Sequence, residues 1–298
     1  MYHEQGMTQQ QIAKRLGITR MRVSRMLQQA RQEGVVTTTI KYDGFFPDLE
    51  ASLSEKYPGI DFVVAEALDG EDASIKESLG ATAAGYFSRY HPQGTTIAVG
   101  WGTTLRKMAD HLKEPLPDLV FAPLLGGQVG AGLDVHANSV AEVMARNTES
   151  SALRIFAPAV AEDKTTRDQL VRGSTVASTL SAASGASVAL FSVGSPFSEL
   201  NTIERIGYYS VTDIEELRRQ RAICDLISLA YYDAESREVC TNLTDRTVSI
   251  TAKQLHSIPQ KICVAGGTGK HEAISVALNL GYINALVTDE ITARYLTE

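Results

Sequence analysis

Residues 8–34 run Thr8-Gln-Gln-Gln11-Ile12-Ala13-Lys14-Arg15-Leu16-Gly17-Ile18-Thr19-Arg20-Met-Arg22-Val23-Ser24-Arg25-Met-Leu27-Gln-Gln-Ala30-Arg31-Gln-Glu33-Gly34. The pattern predicts two short helices joined at Gly17. Thr8 caps the first, because its hydroxyl accepts an orphan N–H of the first turn. Ile12, Ala13 and Leu16 give that helix an apolar stripe at helical spacing. Gly17 supplies the turn, where positive φ is costless only for glycine. Thr19 caps the second helix, and Val23, Leu27 and Ala30 form its buried face. Arg20, Arg22, Ser24 and Arg25 crowd its first turns on other faces. In a helix-turn-helix the start of the second helix enters the major groove. Guanidinium groups there bond guanine edges or phosphates. Thr8, Thr19, Arg20, Arg22, Ser24 and Arg25 are therefore the candidate DNA contacts. The plainer reading is a helical hairpin with a solvated basic face.

Charge sharpens the choice. The chain has 298 residues, is 44% hydrophobic and 21% charged, and carries a net −7. Residues 1–45 hold seven basic and three acidic residues, a net +4, while the remaining 253 carry −11. A basic head on an acidic body seeks DNA with one end only. Cys224, Cys240 and Cys263 lie far apart among apolar neighbours, which fits buried free thiols and gives neither a metal spacing nor a disulfide framework. No metal or cofactor is expected. No apolar run approaches the roughly 18–20 residues of a membrane span, and no signal peptide is evident, so a cytoplasmic protein is expected. Only six residues precede Met7, less than the covering helix that usually precedes such a pair. A first helix cut short, or a start further upstream, is expected.

Beyond the head the pattern changes. Residues 35–40 are β-branched and predict a strand, and residues 41–47 a linker. Residues 48–57 predict a helix. Then short apolar runs alternate with helices: strands at 62–65, 95–99, 119–125, 153–156, 188–193, 262–265 and 285–288, and helices at 74–90, from about 105, and at 139–147. Such alternation predicts a doubly wound α/β sheet of parallel strands. Two domains follow, 1–46 and 47–298.

In such a sheet, ligands bind beyond the carboxyl ends of strands. Three glycine loops follow strands here: Gly100-Trp101-Gly102-Thr103-Thr104, Gly126-Gly127-Gln128-Val129-Gly130-Ala131-Gly132, and Gly266-Gly267-Thr268-Gly269-Lys270. Each alone reads equally as a tight turn. Together they point to a small anionic or polyhydroxy ligand, with backbone N–H groups at a helix start and Lys270 as counter-charge. The P-loop spacing is missing from the third. Asp225 lies in the apolar, helix-like run 223–227 and is either a cap or surface residue or an acceptor for ligand hydroxyls. His136 and Asn138 follow the second loop and are either structural or ligand-facing. Nothing assembles a nucleophile, base and orienting acid, so no catalytic residues are assigned.

These residues resemble the SorC family of sugar-responsive bacterial transcriptional regulators. The segments that carry the resemblance are 7–40, 100–105, 124–127, Ile206-Gly207-Tyr208, Ile223-Cys224-Asp225, 264–267 with Lys270, and Gly281-Tyr282-Ile283-Asn284-Ala285-Leu286-Val287-Thr288-Asp289. They span nearly the whole chain. The resemblance implies a Rossmann-like effector domain similar to sugar-phosphate isomerases, assembly as a homotetramer, and sugars, polyols or their phosphates as effectors. It implies phosphate binding at Gly102, Thr103 and Thr104, a loop contact at Gln128, hydroxyl recognition at Asp225 and anion contact at Lys270. Cys224 stands where the family commonly has glycine, and Gln128 at a position that is variable and sometimes basic. The implied function is a regulator that binds operator DNA under control of a small carbohydrate. A rival reading is an isomerase-like enzyme with a fused head, and a third is a DNA-binding protein with a purely structural body.

Overall fold

A computed structural model describes residues 1, 7–32, 46–67, 70–90, 95–127, 134–197 and 207–298. The chain divides into two compact units, Met1–Lys41 and Tyr42–Glu298. The sequence-predicted strand at 35–40 lies outside the described residues.

In the first unit, helices Gln9–Leu16 and Arg20–Gln32 pack around Ile12, Ala13 and Val23, with Met7, Ile18 and Leu27 partly buried beside them. The Thr8 hydroxyl accepts the Gln11 N–H while the Gln11 side chain accepts the Thr8 N–H, which is a capping box. Gly17 closes the helix at φ 64°. The Arg22 N–H donates to the Thr19 hydroxyl at 3.2 Å. Leu16 departs from its expected place in the stripe and is 46% exposed. Gly17 ends the helix one residue later, so Leu16 lies at the edge of a core that holds three residues.

The second unit is built on a seven-stranded sheet in the order β1-β10-β9-β5-β2-β3-β4. Its strands are β1 (Asp61–Ala65), β2 (Thr96–Val99), β3 (Val120–Pro123), β4 (Ser151–Ala152), β5 (Val188–Phe191), β9 (Gln260–Val264) and β10 (Ala285–Asp289). All six pairings are parallel. Every residue of β5 and β10 is buried, as expected of strands covered on both faces. Two apolar clusters account for this. One side is sealed by Leu79, Phe87, Leu105 and Met108 with neighbours, and the other by Phe191, Leu226, Ile274 and Leu286 with theirs.

From β2 the chain steps outward to β3 and β4, and from β5 it steps the opposite way to β9 and β10. The strand order therefore reverses between the neighbours β2 and β5, which pair Ile97 with Val188 and Val99 with Leu190. That reversal opens a crevice at the carboxyl ends of these two strands.

Two expectations need correction. Residues 153–156 are not a strand: the pairing is Ser151–Ala152, and Phe156 is exposed. Residues 223–227 are not helix-like. Cys224–Asp225 is a strand, β6, of a small antiparallel sheet with β7 (Tyr231–Tyr232) and β8 (Glu238–Val239). Both faces of this hairpin are buried, so its apolar run has no alternation to distinguish it from a helix.

Candidate functional site

β2 delivers Gly100, Trp101 and Gly102 to the start of helix Thr103–His111. Gly102 has φ 131° and ψ 162°, a region L side chains rarely adopt. Its N–H donates to the Val135 carbonyl at 2.9 Å and its carbonyl accepts the Arg106 N–H at 3.0 Å. No side chain caps this helix. Buried Leu105, Met108 and Ala109 anchor the helix, so its first-turn N–H groups are held in place. The first N–H groups of a helix have no acceptor within it and carry the positive end of its dipole. Thr104 is buried and Thr103 half-buried at this start.

β9 leads to Gly266, Gly267 and a single 3-10 turn, Thr268–Lys270, before helix His271–Asn279. Here the N–H that follows the strand end is already committed. The Gly267 N–H donates to Asp289 Oδ2 at 2.7 Å and to the Thr292 hydroxyl at 3.1 Å. Asp289 also caps the last helix, Glu290–Thr297, by accepting the Thr292 N–H at 3.0 Å. A side chain at Gly266 would collide with the Asp289 carboxylate. What this loop brings to the cleft is Lys270, a residue only 6% exposed.

β5 ends in 192–195, a stretch of small residues. Gly194 and Asp225 exchange backbone hydrogen bonds of 2.9 and 2.8 Å, which sew the β6 hairpin to the end of β5. Asp225 is 3% exposed, and its Oδ1 accepts the Ser228 N–H. The turn between β6 and β7 puts Ile227 at φ 54° and Ser228 at φ 62°. For a β-branched residue that is a strained conformation, of the kind held only where surroundings impose it. Behind it the Tyr209 and Ser228 hydroxyls are bonded, and Tyr231 donates to Tyr209 at 3.0 Å. Burial, with the Asp225 charge adding to it, pushes both phenols far above their ordinary range. Burial likewise pushes the Cys224 thiol up.

These three strand ends line one open cleft. Gly102, Thr103, Thr104, Asp225 and Lys270 line it together. Trp101, 192–195 and Ile227 complete the wall; sequence reasoning did not single them out as ligand-facing. The run 188–193 read as one strand and so absorbed Ser192; its signal was the cluster of small residues just beyond. Gln128 lies outside the described residues. The second glycine loop begins with N–H groups committed to the fold: Gly126 donates to the Val248 carbonyl and Gly127 to that of Ala157. A Cβ at Gly126 would sit 2.6 Å from the Ala157 carbonyl oxygen, so close packing alone demands this glycine.

Beside the cleft stands an aromatic cluster. The Tyr208 ring lies 5.4 Å from Trp101 and 5.3 Å from His136. His136 Nδ1 and the Tyr208 hydroxyl are 2.8 Å apart. Burial holds the His136 pKa below its ordinary value, against the opposing charge of Asp134. Asn138 is structural: its amide donates to the Ile155 carbonyl at 2.9 Å and accepts the Ile155 N–H at 3.0 Å.

In the head, Thr19, Arg20, Arg22, Ser24 and Arg25 are all exposed. Thr8 is exposed as well, though its hydroxyl serves the capping box. Among the described residues no group of three His, Cys, Asp or Glu is placed to hold a metal, and no helix is long and apolar enough to cross a membrane.

Residues 45–298 match the family model described as "Putative sugar-binding domain". Residues 1–33 match the model for region 4 of sigma-70 factors. The sorbitol operon regulator of Klebsiella pneumoniae is 29% identical over 304 residues, covering 99% of this chain and 95% of that one. The crystal structure of full-length SorC from that organism matches at a TM-score of 0.76 and 28% identity, over 100% of this chain and 96% of that one. The chain belongs to the SorC family of sugar-responsive transcriptional regulators. Other members it resembles are the transcriptional regulator LsrR of Escherichia coli K12, 31% identical over 98% of this chain and 90% of that one, and the deoxyribonucleoside regulator of Bacillus subtilis, 28% identical over 99% and 94%. This protein is accordingly a transcriptional regulator with a helix-turn-helix head and a sugar-binding body. The isomerase reading finds no support among these relatives.

Proposed function

We propose that the cleft between the ends of β2, β5 and β9 binds a small sugar or polyol, or its phosphate, and that this effector controls how the head holds operator DNA. One observation carries the reading: an uncapped helix start, a buried lysine and a buried carboxylate line the same cleft where the strand order reverses. The first-turn N–H groups and hydroxyls of Thr103 and Thr104, with Lys270, receive an anionic group. Asp225 accepts hydroxyl hydrogens further along the ligand. Gln128 is assigned a loop contact on the same ligand. Relatives named for sorbitol and erythritol control favour this ligand class.

The site binds and does not turn over. Asp225 is the one carboxylate among the lining residues, and its Oδ1 already accepts a backbone N–H. General-base catalysis requires a positioned group within reach of the ligand proton, with a pKa suited to the task. Arg20, Arg22 and Arg25, with Thr19, Ser24 and Thr8, face base edges and phosphates of the operator. The protein works in the cytoplasm as a homotetramer. The effector favours one arrangement of its subunits over another and so alters operator affinity by that difference.

A thermal-shift screen of sugars, polyols and their phosphates tests this, followed by gel shifts on operator DNA. A ligand at about 100 times its dissociation constant adds roughly 2.7 kcal/mol of stability. The expected result is one chemical class that stabilises the protein and changes operator binding. Stabilisation without any change on DNA, or turnover of a sugar phosphate, overturns the reading.

A further inference from the structure

Two buried polar atoms beside the cleft have no hydrogen-bond partner among the described residues: the Trp101 indole Nε1 and His136 Nε2. Trp101 is 8% exposed and lines the cleft, and His136 is 7% exposed. The Gly102–Val135 hydrogen bond clamps their chain segments together, one residue from each. Both rings pack on Tyr208. His136 occupies the N-cap of helix Ala137–Asn147 and makes no side-chain cap bond, so its ring is not spent there. A buried polar group left unmatched is costly, so such atoms are sustained where something meets them.

We infer that Trp101 and His136 form the specificity-determining end of the effector cleft and receive a neutral hydroxyl or carbonyl oxygen of the effector, an inference that rests on the effector reading above. The chemistry selects this class. Indole nitrogen only donates. A neutral imidazole has one donor and one acceptor nitrogen, and Tyr208 occupies Nδ1, which leaves Nε2 the complementary role. An oxygen that accepts from Trp101 and exchanges a hydrogen with His136 satisfies both. A hydroxyl does so in either tautomer. A carbonyl does so when Nε2 carries the hydrogen. A phosphate gains nothing here that the helix start and Lys270 do not already supply. The cleft thereby divides its work: the anion-binding end provides grip, Asp225 accepts hydroxyls, and the aromatic end distinguishes one carbon skeleton from another.

Trp101 is the only tryptophan in the chain, so indole fluorescence reports this position alone. The full-length protein is titrated with D-sorbitol 6-phosphate, D-ribose 5-phosphate and inorganic phosphate, by Trp101 emission and by calorimetry. At least one sugar or polyol phosphate is expected to shift the emission. Trp101→Phe keeps the ring and removes the donor, and His136→Phe removes both nitrogens. Each is expected to weaken that probe about tenfold while leaving inorganic phosphate within twofold, which also shows that the site is folded. Equal affinity of wild type and Trp101→Phe for that probe overturns the subsite and leaves the effector reading standing. Parallel losses for the sugar phosphate and inorganic phosphate also overturn it, because they mark general damage. If wild type binds inorganic phosphate but neither organic phosphate, the sugar-phosphate side of the effector reading fails and this subsite falls with it.

Discussion

The loops after β2 and β9 look alike in sequence, Gly-Trp-Gly-Thr-Thr and Gly-Gly-Thr-Gly-Lys, yet they bring opposite resources to the same cleft. After β2 the glycine is needed for its dihedral angle, and the helix start behind it has no side-chain cap. After β9 the first glycine is needed for space, and the N–H of the second is taken by Asp289 and Thr292. The β2 loop therefore offers backbone donors. The β9 loop, with its Gly267 N–H committed, brings Lys270 to the cleft lining. A glycine-rich turn before a helix becomes an anion site only if no other part of the chain has supplied the acceptor first.

The strongest way to break this contrast is Asp289→Ala. It strips the acceptor from two buried donors, the N–H and the hydroxyl of Thr292, and leaves the Gly267 N–H with the Thr292 hydroxyl alone; each unmatched buried donor costs about 1–3 kcal/mol. A loss of about 3 kcal/mol or more is expected in urea unfolding of the full chain. A loss under about 1 kcal/mol would mean that the β9 loop does not depend on Asp289 and that its N–H groups are open to ligand.

Lys270→Met is the next test. It keeps the length of the side chain and removes the charge that the β9 loop contributes. Affinity for a phosphorylated effector should fall roughly 10–100-fold, and affinity for the unphosphorylated polyol should change far less, both measured by calorimetry. Equal losses for the two would show that Lys270 does not meet the anion.

The smallest effect is on pH. His271 follows Lys270 directly, its ring stacked on Tyr295 at 4.3 Å. Burial lowers its pKa from the ordinary 6.5, with Asp289 opposing. As pH falls below about 6.5 the unfolded chain takes up a proton more readily than the folded one, so stability declines from there downward. His271→Gln should flatten that slope in thermal melts between neutral and mildly acid pH, without abolishing it, because His136 is shifted the same way. An unchanged slope would remove His271 from this part of the account.

Much of the fold was legible because its signals are local. The Thr8 capping box joins residues three apart, and the left-handed Gly17 follows its helix directly. The parallel strands announced themselves as short, mostly apolar runs, since both faces are covered. The same physics hid the β6 hairpin. Its run 224–227 is buried throughout, and the two left-handed residues that turn it, Ile227 and Ser228, are types that do not signal this turn. The site was half legible. Gly102, Thr103, Thr104, Asp225 and Lys270 stood out by residue type and by position after strands. The 192–195 wall did not, because serine and glycine after a strand are ordinary loop residues until the sheet order puts them at a crevice.

By itself, then, the sequence determined most of the secondary elements, the charge split between head and body, and the family membership, all of which follow from neighbours along the chain or from the pattern as a whole. Only the tertiary structure decided which loops share a cleft and which of their N–H groups are already in use. The physical reason is range. The carboxylate that occupies Gly267 comes from 22 residues away, and the strand pairing that joins the ends of β2 and β5 spans four of the described helices. Hydrogen-bond satisfaction is settled by whatever acceptor folding brings near, and no local pattern encodes that neighbour.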